Sequence, residues 1–516
     1  MRILFATLFV ALAAPTSAQE PVILQVTACG PAAWRSRIGP TNLGTMLATQ
    51  GAEAIWRGYV DAIDRVVRHA HGAEQTFVTE RQRLLDYGGE VHLVVWLEQA
   101  EDALQLPRWS AALIVEPDGS TDLGAMAAAC RAWLERVEVA AATRWLALKL
   151  SPPRLHGGRL VAVLATAQDL DTATARAQQF ECQRLDEARV LRINVDPQAA
   201  LGLLRDRASE RDFVAALLGP ATQSATLTIG HVGPRVAVDF ALAFGKGDGG
   251  IVRGLLPVRP GVVDLDALVP EGTATHYAWA IDFAEVWRAG TAAVATAREL
   301  EPQQLRKRLR GFYGSDFDKT VWPHLGREVM LLWLSAEAAE HDGVTPFANA
   351  CLVAPVRDEQ ALIEAVSAVL KHRGERYRID EEGVLSHRLL GGSLRIGLGV
   401  ACVALGDRSD AHCESVLQRA AESKRVRKGS SERPVGAPDG WNGRGRIDVT
   451  TLFARDLYGQ LRWLLFAFGG MRHLPSLHEV QSEGQRWLPL LQRHSLDAAT
   501  TLGGSTAERW QLRILW

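Results

Sequence analysis

Histidine and cysteine carry most metal and nucleophilic chemistry, so their spacing is the first constraint on what this chain can do. The chain has 14 histidines and six cysteines. His69 and His71 are two apart in a helical stretch, about 200° around the axis, so their rings diverge and do not share an ion. The stretch "HEVQS" from His478 begins like a zinc-protease helix, but Ser482 stands where the second histidine would have to be. His473 and His478 are separated by Pro475 and bring no third ligand with them. Cys29, Cys130, Cys182, Cys351, Cys402 and Cys413 contain no CxxC spacing, which argues against a structural zinc site.

The bland reading of most of these thiols is packing. Cys130 recurs with Leu123, Met126 and Ala127 at helical spacing, Cys413 does so with Val416, Leu417 and Ala420, and Cys402 lies inside the strand "VACVA". Cys182 falls off the apolar stripe of its helix and is either paired or free. In an oxidising compartment, pairs such as Cys130 with Cys182 or Cys402 with Cys413 come into consideration.

Other motifs fail on context. There is no G-x-S-x-G. Gly245, Gly247 and Gly250 fit G-x-G-x-x-G after a strand, but a dinucleotide loop needs a helix N-terminus immediately beyond it, and Pro257 and Pro260 deny that helix. Asp316, Asp318, Glu381 and Glu382 read as solvated turn residues rather than a general acid and base. The insertion "SKRVRKGSSERPVGAPDGWNGRGR" carries Lys424, Arg425, Arg427, Lys428, Arg433, Arg444 and Arg446. It reads as an exposed basic loop, with contact to an anionic envelope polymer or lipid headgroup as its functional alternative. "WLLFAFGGM", Trp463 to Met471, is too short to cross a bilayer and suits packing against its own sheet. The motifs therefore assign no catalytic residue, no metal site and no cofactor.

The elements that must carry any site begin after a cleavable start. Arg2 precedes an apolar run from Ile3 to Ala14, and Thr16-Ser17-Ala18 offers small residues for cleavage, so residues 1–18 read as a signal peptide and the mature chain starts near Gln19. Val26-Thr27-Ala28-Cys29 loosely matches a lipidation box, but it lies far beyond the apolar run and inside a strand pattern. Export to the periplasm or beyond is the expectation, with no transmembrane helix in the mature chain. Apolar residues at 47%, charged residues at 22% and a net charge of −2 describe a globular protein with no global pull toward nucleic acid.

The construction of the chain is the strongest signal in it. "YGGEVHLVVWL" (Tyr87 to Leu97) recurs as "LGREVMLLWLS" (Leu325 to Ser335), an offset of 238. "AALIV" at Ala111 meets "ACLVA" at Ala350, and "VAVLA" at Val161 meets "VACVA" at Val400, both at 239. Unrelated strands would need equal intervening helices and loops by accident, so the chain reads as an internal duplication. Outward, "ILQVTACGPAAW" meets "HYAWAIDFAEVW", "RINV" meets "RIDV", and "ATLTIG" meets "AATTLG". The expected fold is α+β: two homologous domains, residues 19–246 and 270–516, each a mostly antiparallel sheet with helices packed on one face. A Gly/Pro-rich linker at 247–269 joins them, and the basic loop near 423–446 interrupts the second.

The segment "DFDKTVWPHLGREVMLLWL" (Asp316 to Leu334), preceded by "VPEGTATHYAWAIDFAEVW", resembles an uncharacterised family of exported bacterial proteins, domain of unknown function 3352. The matching positions are Pro270, Asp282, Trp287, Pro323, Leu325, Gly326, Glu328 and Val329. The first copy departs from that pattern, with Asp86-Tyr87 in place of the Pro and loop residues and Cys29 in place of Asp282. The resemblance implies fold and address, and no activity. The sequence thus favours an exported, non-catalytic binding or scaffolding component of the bacterial periplasm or envelope, its partner an envelope protein or anionic polymer. Its alternatives are a periplasmic hydrolase with a site at the domain interface and a carrier of an apolar ligand such as a lipid.

Overall fold

The computed structural model describes residues 22–55, 86–98, 108–128, 148–201, 208–246, 250–255, 265–271, 273–298, 300–334, 350–389, 391–406, 409–423, 436–448 and 477–516. The signal segment, the helical face from Tyr59 to Ala70, His69, His71, Cys130, His473, the basic run Lys424 to Arg433 and the stretch Trp463 to Met471 lie outside them.

The strands of the first half are β1 (Val22–Cys29), β2 (Glu90–Glu98), β3 (Arg108–Val115), β4 (Leu148–Leu150), β5 (Arg154–His156), β6 (Arg159–Thr166), β7 (Arg189–Val195), β8 (Thr222–Val232) and β9 (Arg235–Phe244). Those of the second are β10 (Thr273–Ala280), β11 (Glu328–Leu334), β12 (Ala350–Pro355), β13 (Tyr377–Ile379), β14 (Leu385–Leu389), β15 (Gly392–Gly397), β16 (Val400–Leu405), β17 (Trp441–Asp448), β18 (Ala498–Ser505) and β19 (Arg509–Leu515). They form one sheet. From one edge the order runs β4 and β5 beside β6, then β3, β2, β1, β7, β8 and β9. Strand β9 pairs with β19, and the order continues through β18, β17, β10, β11, β12, β16, β15, β14 and β13. All these pairings are antiparallel.

Helices cover both faces of this sheet, not one. On one face Val94, Trp96, Ala112, Ile114 and Val163 pack against Ala173 and Ala177 of the helix Leu170–Gln179. On the same face Met330, Leu332, Val353 and Ala404 pack against Val416, Leu417 and Ala420 of the helix Ser409–Ser423. On the opposite face Leu24, Val195, Ala225 and Leu242 pack against the helices Pro197–Leu201 and Ala208–Leu218. Further along it, Ala354, Leu385 and Ile396 meet Leu362, Ile363 and Leu370 of the helix Glu359–His372. Runs such as "HLVVWL" and "AALIV" are apolar on both alternating sets, yet on β2 and β3 only the set with Val94, Trp96, Ala112 and Ile114 is buried, while Leu93 and Leu113 stay exposed.

Three further expectations are corrected. The segment 247–269 is not an uninterrupted extended linker, because Gly250–Leu255 forms a short helix before Pro257. That helix packs against Ala208–Leu218 and against Phe283–Ala297 of the second half. The C-terminal part of the basic insertion is not loop but strand β17, paired on both sides, and Arg444 lies 3.4 Å from Asp266. Asp316 and Asp318 lie at the one-turn helix Phe317–Thr320, whereas Glu381 and Glu382 do occupy a turn, closed by the Asp380 carboxylate on the Glu382 and Val384 N–H groups. Glycine is required where β17 and β18 pass Tyr277: a Cβ on Gly503 would stand 2.2 Å from its hydroxyl.

At the central seam Arg513 faces Asp239 across the ladder. Its guanidinium forks onto the carboxylate at 2.5 and 2.8 Å and also donates to the Gly436 carbonyl at 3.1 Å. The Asp239 carboxylate pushes the Arg513 pKa up. Replacing Asp239 by Asn leaves a half-buried cation with a weaker acceptor, so Asp239→Asn is expected to lower unfolding free energy by about 2 kcal/mol, read from the urea midpoint. An unchanged midpoint would mean that the pair contributes nothing to the seam.

Candidate metal centre

Alternation along β2 puts Glu90 and His92 on the same side of the sheet, the side that the helix Leu170–Gln179 covers. Glu116 follows the last residue of the neighbouring strand β3. That helix ends at Gln179, where Phe180 turns extended, and Cys182 therefore sits in the segment that returns across the sheet rather than on a helix. The outcome is a cluster of one buried and two half-buried side chains. One ligand atom each from His92, Glu116 and Cys182 lies within 4.8 Å of the others.

The hydrogen bonds around the cluster hold its members in place. The His92 ring is fully buried, with Nδ1 3.1 Å from the Thr27 hydroxyl. Its Nε2 has no hydrogen-bond partner and lies 3.7 Å from Glu90 Oε2. Glu90 Oε1 accepts the Leu185 N–H at 3.0 Å, which fastens the returning segment. Arg159 Nε lies 3.0 Å from Glu116 Oε1, and Arg159 Nη1 donates to the Phe180 carbonyl at 3.0 Å. Beneath them the buried Tyr87 hydroxyl contacts the carbonyl oxygens of Glu90 at 2.8 Å and Glu116 at 2.6 Å.

Burial decides the protonation states. It drives the His92 pKa down to about 4, against the upward pull of Glu116 and with Arg159, Arg184 and Arg192 adding to the fall. His92 is thus neutral at physiological pH, with a lone pair to offer on whichever nitrogen lacks the proton. Burial, then the charge of Glu116, pushes the Cys182 thiol up to about 12. A protonated thiol is a poor nucleophile. Of the two carboxylates, Glu116 meets the Arg159 guanidinium directly, and Glu90 Oε2 faces only the neutral His92 ring, so a cation beside them would be attracted to both.

The other cysteines are placed as follows. Cys29 is buried at the end of β1, packed with Ile38, Leu185 and Val190. Cys402 and Cys413, paired on paper by the sequence, do meet, with sulfurs 3.1 Å apart. Sequence reasoning missed Cys351, whose sulfur is also 3.1 Å from that of Cys402. It also missed the His92 cluster. The available signal was Glu90-x-His92, two polar residues at strand spacing inside an apolar run. Compared with known proteins, the chain matches no family model, no curated protein and no solved structure.

Removing the Tyr87 hydroxyl leaves the carbonyls of Glu90 and Glu116 short of a buried donor. Tyr87→Phe is expected to cost about 1–2 kcal/mol of stability, measured by thermal or urea unfolding, with helix and strand content unchanged by circular dichroism. A cost near zero would mean that neither contact holds the cluster.

Proposed function

We propose that this protein is an exported, non-catalytic binding component of the bacterial periplasm or envelope, built from two related halves, and that it binds a divalent transition-metal ion of the zinc class at His92, Glu116 and Cys182. The observation that carries the metal reading is the convergence of those three donor atoms within 4.8 Å around an unpartnered, fully buried His92 Nε2. Imidazole, carboxylate and thiolate together suit zinc-class ions better than magnesium or calcium, which prefer oxygen alone. Ligation through Nε2 puts the proton on Nδ1, where Thr27 accepts it, the usual arrangement behind a metal-bound histidine. Glu90 Oε2 is the nearest candidate for a fourth donor. On binding, the Cys182 proton leaves and Arg159 stays on Glu116 as an outer partner.

Binding is favoured over thiol-based hydrolysis because in this reading Cys182 is a metal ligand, and without the ion burial keeps its thiol protonated. The reading of two related halves, residues 19–246 and 270–516, rests on the constant offsets and on equivalent pairing: β1 between β2 and β7, β10 between β11 and β17, with hairpins β8–β9 and β18–β19 closing the two. At the corresponding offsets Met330 replaces His92 and Pro355 replaces Glu116, so the metal site belongs to the first half alone. Export rests on the apolar start and its small-residue boundary; N-terminal sequencing of the mature protein should begin near Gln19, and an intact Met1 in the envelope fraction would refute cleavage.

Metal-free protein titrated with zinc is expected to take up one ion per chain. Binding should weaken at least about 100-fold in His92→Ala and Cys182→Ser, and about 10–100-fold in Thr27→Val. Cobalt substitution should add a thiolate-to-metal absorption band that Cys182→Ser abolishes. Failure to retain metal, or equal affinity in the ligand variants, would overturn the assignment.

A further inference from the structure

The second half carries its own buried cluster, on the same face of the sheet. Cys351 on β12 and Cys402 on β16 are diagonal neighbours, since Cys351 lies opposite Ala404 and Cys402 opposite Val353. Cys413 descends onto them from the helix Ser409–Ser423. All three are fully buried. Cys402 is the hub, 3.1 Å from the sulfur of each of the other two. Those separations are about 1 Å beyond a disulfide bond of roughly 2.05 Å. At an offset of 239 the first half has Ala112, Val163 and Thr174, so the same layer of strand and helix packs there without sulfur.

We infer that these thiols form one disulfide with two alternative registers, Cys402–Cys413 or Cys351–Cys402, and that the third thiol exchanges them. Formation consumes a small-molecule disulfide such as oxidised glutathione. Two cysteine thiols lose two electrons and two protons, and the oxidant is reduced to two free thiols. Exchange consumes nothing: when Cys402 is bonded to Cys351, the Cys413 thiolate attacks the Cys402 sulfur, the Cys351–Cys402 bond breaks, and Cys351 leaves as a thiolate that takes up the proton. The reverse step regenerates the first register.

The registers have different mechanical consequences. A Cys402–Cys413 bond ties the helix Ser409–Ser423 to the sheet beneath it. A Cys351–Cys402 bond ties two strands already joined by their ladder and leaves the helix held by packing, by the Ser393 hydroxyl on Asp410 at 2.7 Å and by Arg395 on Glu414 at 2.7 Å. Cys413 is the most acidic of the trio, since Cys351 and Cys402 can both donate to it and Arg395 is nearby. This inference is independent of the metal reading, which concerns other residues.

The test is refolding of the full chain in a glutathione redox buffer, followed by acid quench, alkylation with N-ethylmaleimide under denaturing conditions and peptide mapping. Wild-type protein should yield both Cys351–Cys402 and Cys402–Cys413 cross-linked peptides, with one alkylated thiol from the trio in each molecule. Cys413→Ala should leave only the first linkage, Cys351→Ala only the second, and Cys402→Ala neither. Wild-type mapping alone decides the matter if a variant fails to fold. Alkylation of all three thiols, a Cys351–Cys413 linkage, or bonding of the trio to Cys29 or Cys182 would overturn the inference.

Discussion

The antiparallel ladder between Arg235–Phe244 and Arg509–Leu515 is the constraint on which the rest of the molecule depends. Each half ends in a hairpin, and an unpaired terminal strand would expose a row of backbone donors and acceptors. Pairing those two strands satisfies both rows at once and makes the half-sheets continuous. The Asp239–Arg513 fork then sits directly on the ladder, where a shift of register by one residue would separate the charges.

Continuity of the sheet determines how the helices are shared. Phe283–Ala297, from the second half, packs on Ala208–Leu218 and Gly250–Leu255. Elsewhere, Met46, Ala52 and Ile55 of the first half share a core with Leu490 and Leu496 of the second. Each half therefore completes part of its neighbour's apolar layer.

Among the described residues, two clusters stand out among the exceptions to apolar packing. In the first half Thr27, Glu90, His92, Glu116, Arg159 and Cys182 replace hydrocarbon on the face beneath Leu170–Gln179. In the second, three thiols occupy the layer under Ser409–Ser423. Buried polar and sulfur groups gain strength from low dielectric only when matched, so both clusters are places where chemistry, rather than packing alone, accounts for the residues present.

Much of the fold was legible. Strand positions and the terminal hairpins follow from apolar runs, which are local properties. The helices on both faces were foreshadowed by runs such as "HLVVWL" but misassigned, because periodicity alone does not say what covers a face. Gly250–Leu255 was misread since Pro257 ends a helix without forbidding one before it. The candidate metal cluster was illegible beyond Glu90 and His92, as Thr27, Glu116, Arg159 and Cys182 come from four other segments. Chain order by itself determined a mixed helix-and-strand, antiparallel architecture, because hydrogen-bonding period and side-chain alternation are written locally. Which side chains meet was decided only by tertiary structure, because a sheet brings together residues about 5 Å apart in space that are separated by tens of positions along the chain.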